Sequence, residues 1–168
     1  MKPGLLWLYK VMTFWLPESR GFGWKRFWLR LAGARIGENV RIYTSASFYG
    51  NGILSVGDDV HIGSGVKIMS TAPACVRIGS CVDIGPDVLL VTGAHEIDLA
   101  GSHLAGHGTS KSIKIGDGCW LGARSLVLGG VELCEKTLVA AGAVVRHSVL
   151  SPKSLVAGVP AATKKVLG

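Results

Sequence analysis

Long apolar runs, paired cysteines and acidic residues near the start are what this 168-residue sequence has least of. Its most apolar stretch, Leu5, Leu6, Leu8, Val11, Met12 and Phe14, is interrupted by Lys10 and ended by Pro17, so it falls short of a bilayer-spanning helix. The Lys2 start resembles a secretory signal superficially, but no small-residue cleavage site follows, and export is not expected. Cys75, Cys81, Cys119 and Cys134 form no CxxC pair and have no histidines at ligand spacing, which excludes a disulfide framework and a zinc site and points to free thiols in a reducing cytoplasm. No metal is expected. Residues 1–35 hold seven of the 18 Lys/Arg residues against one of the 11 acids, Glu18. The remainder is nearly neutral and has no basic stripe with aromatic readers, so nucleic acid is excluded as a partner.

Glycine is the residue in excess. Twenty-four glycines in a chain that is 48% hydrophobic, with six prolines and no collagen triplet, describe an all-β protein rich in tight turns. The apolar residues recur in sixes: Ile36, Ile42, Phe48; Val56, Ile62, Ile68; Ile78, Ile84, Leu90; then Ile115, Leu121, Val127, Leu133, Val139 and Val145. Glycine follows directly at Gly37, Gly57, Gly63, Gly79, Gly85, Gly116 and Gly122, and a valine or alanine often stands four residues on, as at Val40, Val60 and Val82. Helices repeat near 3.6 residues and simple strands near 2, so neither accounts for a period of six. Short strands joined by turns do, wound into a solenoid of about 18 residues per coil and about five coils. Glycine is expected where the chain turns a corner and needs backbone angles that other residues resist.

Coil starts at Ile36, Val56, Ile78, Ile115 and Leu133 are separated by 20, 22, 37 and 18 residues. The long step is the one break in the scaffold, an excursion over residues 95–114 that begins at His95. Loops leaving a rigid scaffold are where binding and catalytic groups collect, and the Met69–Ala74 corner and this loop are expected to shape an acceptor pocket. Residues 1–35 form a helical, tryptophan-rich and basic segment ahead of the solenoid at 36–150, and residues 151–168 form a tail. Within the first segment Trp24, Phe27, Trp28 and Leu31 fall on one side of a helix and Lys25, Arg26 and Arg30 on the other. Such a helix suits a cap over the open end of the stack, a membrane interface, or both on different faces.

The repeated [LIV]-G-x4, the TGAH ahead of the loop, IGDGCWLGA at 115–123, AAGAVV at 140–145 and AGVPA at 157–161 together resemble the hexapeptide-repeat acyltransferases. The likeness is closest to the maltose and galactoside O-acetyltransferases and to the capsule, colanic-acid and O-antigen acetyltransferases, and it covers residues 24–166. It implies a left-handed parallel β-helix, a homotrimer, and acetyl-CoA and a sugar acceptor bound between subunits. It also implies an enzyme that acetylates a sugar hydroxyl, small or lipid-linked, in cell-surface polysaccharide biosynthesis, in the cytoplasm or peripherally on the inner membrane face. His95 is then the general base, with a carboxylate or carbonyl holding its imidazole; Glu96 and Asp98 are the acidic candidates. The resemblance assigns coenzyme A to Trp120, Gly122, Ala123, Ala141, Gly142, Arg146 and His147, and its phosphates to Lys164 and Lys165, although Ala162 stands where relatives carry a basic residue.

Other readings share this scaffold. An N-acetyltransferase of an amino sugar would use the same donor. A metal-dependent hydratase of the carbonic-anhydrase type needs three converging histidines, whereas only His61 and His95 lie in or beside coils, with His103 and His107 in the glycine-rich loop. A non-catalytic scaffold would not bind coenzyme A.

Overall fold

The computed structural model describes all 168 residues. All 15 aliphatic or aromatic residues of the six-residue phase, from Ile36 to Val145, are buried. They lie on short strands that alternate between an inward and an outward side chain before the chain turns. The strands build three parallel sheets visited in rotation. The first stacks Arg35–Ile36, Ile53–Val56, Cys75–Ile78, Ile113–Ile115 and Glu132–Leu133. The second stacks Arg41–Ile42, His61–Ile62, Asp83–Ile84, Trp120–Leu121, Leu138–Val139 and Ser154–Ala157, and the third Ser47–Tyr49, Lys67–Met69, Leu89–Val91, Leu126–Leu128 and Val144–Val145. This is a parallel β-helix. Register pairs Ile42, Ile62, Ile84, Leu121, Val139 and Val156 one above another, and Phe48, Ile68, Leu90, Val127 and Val145 likewise, so each inward residue rests on its counterpart in the next layer.

The repeat glycines have a different reason from the one expected. None of Gly37, Gly57, Gly63, Gly79, Gly85, Gly116 and Gly122 has a positive φ. A Cβ built on Gly85 would stand 2.8 Å from the Leu121 carbonyl oxygen and 2.9 Å from the Ala123 nitrogen, so the backbone of the next layer fills the space a side chain needs. The left-handed residue comes two positions later, and it is often not glycine: Asn39, Asp59, Cys81, Asp87 and Arg124 have φ of 53–59°. At the first corner, side chains tie the layers together. Asp58 Oδ1 accepts from the Glu38 amide at 2.7 Å, Ser80 Oγ from the Asp58 amide at 3.1 Å, and Asp117 Oδ1 from the Ser80 amide at 2.8 Å.

Two helices, α1 (Pro3–Thr13) and α2 (Phe22–Leu31), lie across the first layer. Inside the stack the carbonyls of Val56, Val60 and Ile62 accept from the amides of Gly37, Arg41 and Tyr43 in the layer before. The first layer has no layer before it. Its equivalent carbonyls, Ile36, Val40 and Ile42, accept instead from Arg30 Nε at 2.8 Å, Arg26 Nη1 at 3.2 Å and Lys25 Nζ at 2.9 Å. The basic side of α2 therefore faces the stack. Lys25 is fully buried with Trp28, Leu29 and Ala32, and burial lowers its ammonium pKa against the opposing charge of Glu18. Of the apolar side only Trp28 packs inward; Trp24, Phe27 and Leu31 are exposed. Backbone acceptors at an open edge outweigh apolar burial in setting the rotation of this short helix.

The excursion and the tail both have regular structure. The excursion is an ordered antiparallel hairpin of Gly93–Ile97 with Ala105–Ser110, and the tail returns as a strand, Ala162–Val166, antiparallel to Ser154–Ala157 on the second sheet. One apolar core runs continuously from Leu6 in α1 to Val156 in the last layer.

Candidate functional site

The hairpin leaves the third sheet after Val91 and rejoins the first sheet at Ile113, so it projects from the corner between those sheets. Its strands pair Ala94 with Thr109 and His95 with Gly108, and the register then slips before Ile97 meets Ala105. That irregularity leaves the Gly106 carbonyl facing the imidazole, 2.8 Å from His95 Nδ1. A carbonyl can only accept, so Nδ1 carries the proton and the Nε2 lone pair is free. His95 is exposed, with Nε2 available to a substrate.

In this chain the group that holds His95 is thus a backbone carbonyl. Neither acidic neighbour contributes to that bond. Both oxygen contacts of the Asp98 side chain go to the turn of its own hairpin, where Oδ1 accepts from the amides of Ala100 and Gly101 at 2.9 Å each. Glu96 follows His95 on the strand and is exposed. Gly106 carries no signal in the sequence, because its part is played by its backbone and fixed by a register slip.

Two clefts meet at His95. One, of about 650 Å³, is walled by Met69, Thr71, Ala72 and Pro73, which belong to the corner expected to shape the acceptor, and by Thr109 and Ser110 of the hairpin. The other, of about 410 Å³, is walled by Glu96, Lys111, Leu128, Gly129 and Arg146. A reactive nitrogen between two hollows can serve two substrates that enter from different sides.

The residues assigned to coenzyme A fall into separate groups. Gly122 and Ala123 stack directly on Ala141 and Gly142 at the corner between the second and third sheets, with the Gly142 amide donating to the Ala123 carbonyl at 2.9 Å. Arg146 and His147 lie beyond the strand Val144–Val145, at the other end of the third sheet and on the same corner as His95. Trp120 faces outward from the second sheet, and Lys164 and Lys165 lie exposed on the strand Ala162–Val166, where Lys165 pairs with Leu155 of that sheet. One chain presents this set on two corners and one face, so no single cleft of one copy contains it.

Trp120 instead shares a hollow of about 510 Å³ with Tyr43, His61, Ser64, Asp83 and Pro86, a cluster that sequence patterns did not single out because its members come from four successive layers. The His61 ring centre lies 5.3 Å from that of Tyr43, and Nδ1 is 3.7 Å from Asp83 Oδ1. Burial, and then Arg41, lower the His61 pKa, while Asp83 opposes the shift. His103 and His107 are exposed on the hairpin.

Residues 112–146 match the model of the hexapeptide repeat of succinyl-transferase. Over 160 residues the chain is 34% identical to WcaF of Escherichia coli K12, provisionally named a colanic acid biosynthesis acetyltransferase, spanning 95% of this chain and 81% of that protein. It is 30% identical to the galactoside O-acetyltransferase of Lactococcus lactis over 139 residues, 79% of this chain and 62% of the relative. The hexapeptide-repeat acetyltransferase VCA0836 of Vibrio cholerae, solved with acetyl-coenzyme A, shares the fold with a TM-score of 0.69 at 22% identity, over 98% of this chain and 86% of that one.

Proposed function

Because this chain belongs to the hexapeptide-repeat acetyltransferases, we propose that it moves the acetyl group of acetyl-CoA onto a sugar hydroxyl during cell-surface polysaccharide synthesis, with His95 as general base. The observation that carries this reading is the bond from His95 Nδ1–H to the Gly106 carbonyl, which leaves the Nε2 lone pair between two clefts. Nε2 takes the hydroxyl proton as the oxygen attacks the thioester carbonyl. The tetrahedral intermediate then collapses to the ester, the carbon–sulfur bond breaks, and the imidazolium returns the proton to the departing thiolate. The relatives' names in polysaccharide and galactoside chemistry support a sugar as acceptor, reached from the cleft of Met69–Pro73.

In this reading the β-helix is left-handed with about five turns, and three copies assemble around a common axis. The division of the coenzyme residues between two corners supports the trimer. Arg146 and His147 beside His95 would be joined by Trp120, Gly122, Ala123, Ala141 and Gly142 of a neighbouring copy, with Lys164 and Lys165 meeting the nucleotide phosphates. Asp98 acts on the placement of His95 through the hairpin turn, and Glu96 is the carboxylate that lines the second cleft beside it. In this reading the protein works in the cytoplasm, either free or peripherally on the inner membrane face, on a free or lipid-linked sugar. Replacing His95 by Ala should lower kcat about 100-fold or more with melting temperature and assembly unchanged. A variant that keeps more than about a tenth of the activity would remove His95 from the base role.

A further inference from the structure

We infer that the outer faces of α1 and α2 form a docking surface for an anionic lipid bilayer. The inference rests on the fold and on the assembly proposed above, and it can fail without touching the role given to His95. Trp7, Phe14 and Trp15 are 68%, 64% and 86% exposed, and Trp24, Phe27 and Leu31 are 46%, 53% and 48% exposed. The two sets adjoin, because the Trp24 indole donates to the Met12 carbonyl at 3.2 Å. Large aromatic side chains at such exposure are unfavourable in water and favoured in the interfacial zone of a bilayer, where an indole keeps its N–H solvated.

The orientation of this surface is a consequence of the cap. Arg26, Arg30 and Lys25 are held by the carbonyls of the first layer, so the opposite, aromatic side of α2 must point away from the stack. No acid lies within either helix, and Glu18 between them accepts from the amide and hydroxyl of Ser45. Exposed Lys2, Arg20 and Arg35 rim the region and suit anionic headgroups.

Position selects the occupant. The helices cover the end of the β-helix, whereas copies arranged around an axis parallel to it touch along their sides. The ends therefore stay open and point in one direction, as a planar partner requires, and three weak contacts on one plane reinforce one another. A second copy docked face to face would instead bring two basic rims together.

The test is sedimentation of the full-length protein with vesicles of phosphatidylcholine plus phosphatidylglycerol, and with phosphatidylcholine alone, at low and high salt. The expected result is binding to the anionic vesicles that weakens with salt. The triple substitution Trp7→Ser, Trp15→Ser, Phe27→Ser should cut the bound fraction about tenfold or more, while melting temperature and acetyl transfer to a soluble sugar stay the same. Because the variant could misfold, quenching of the wild-type tryptophans by brominated lipids gives a second readout, and quenching supports the inference. The idea is overturned by absence of binding to anionic vesicles, by unquenched tryptophans, by equal binding of a folded triple variant, or by lipid-free association of assemblies that the substitutions abolish.

Discussion

At Gly85 the missing side chain matters because the next layer's backbone would stand 2.8 Å from it. Gly85→Ala should therefore destabilise the protein by about 1–3 kcal/mol, read from a denaturant midpoint at unchanged slope. An unshifted midpoint would contradict the close-approach explanation. His61 titrates with a measurable sign. Its pKa lies below the ordinary 6.5 in the folded protein, chiefly through burial. The stabilisation from keeping it neutral is thus complete above that ordinary value and is lost as pH falls through the lower folded value. Melting temperature should drop on acidification below about pH 6.5, and less steeply in His61→Gln, which a set of thermal melts across pH would check. The sequence showed where glycine recurs and that His95 opens the break. It could not show that glycine makes room for a neighbouring layer, or that the Gly106 carbonyl holds the imidazole, because both depend on atoms brought close only by folding.

For α2 the 3.6-residue pattern announced a helix, and a helix is present, but its rotation was not legible. Apolar periodicity marks the side that prefers burial; it carries no information about backbone acceptors left open at the end of a stack. Lys25 is the sharpest case, a lysine on the basic side of the helix that is fully buried with its ammonium on the carbonyls of Ile42 and Glu18. Lys25→Met keeps most of the volume and removes the donor. It should cost about 1–3 kcal/mol in equilibrium unfolding, since the buried Ile42 carbonyl and the partly buried Glu18 carbonyl lose their donor. In the hairpin, Asp98→Asn retains an oxygen for the turn amides and should leave kcat within about threefold, whereas Asp98→Ala should lower it further by loosening the strand that carries His95. Steady-state kinetics of the pair distinguishes support of the turn from direct contact with the imidazole, which would make both variants equally poor.

The proposed trimer makes a quantitative demand on the whole molecule. If each site takes His95 from one copy and the Ala141 corner from the next, neither His95→Ala nor Ala141→Trp is active alone, because the exposed Ala141 lies where an indole would fill the groove. Mixed assemblies from equal amounts of the two variants would restore about a quarter of the sites by random combination around a closed ring. Assays of co-expressed, co-purified variants read this directly, and absence of recovery would place both groups of residues in one copy's site. The parallel β-helix and its single excursion were determined by the sequence itself, because a six-residue apolar period is local and permits only strands that stack. The hairpin's register, the outward turn of the N-terminal aromatics and the separation of the residues assigned to coenzyme A onto two corners and one face were decided by the tertiary structure. Each depends on which backbone groups remain unpaired, and which side chains share a corner, once residues 16–37 positions apart in the chain are stacked in adjacent layers.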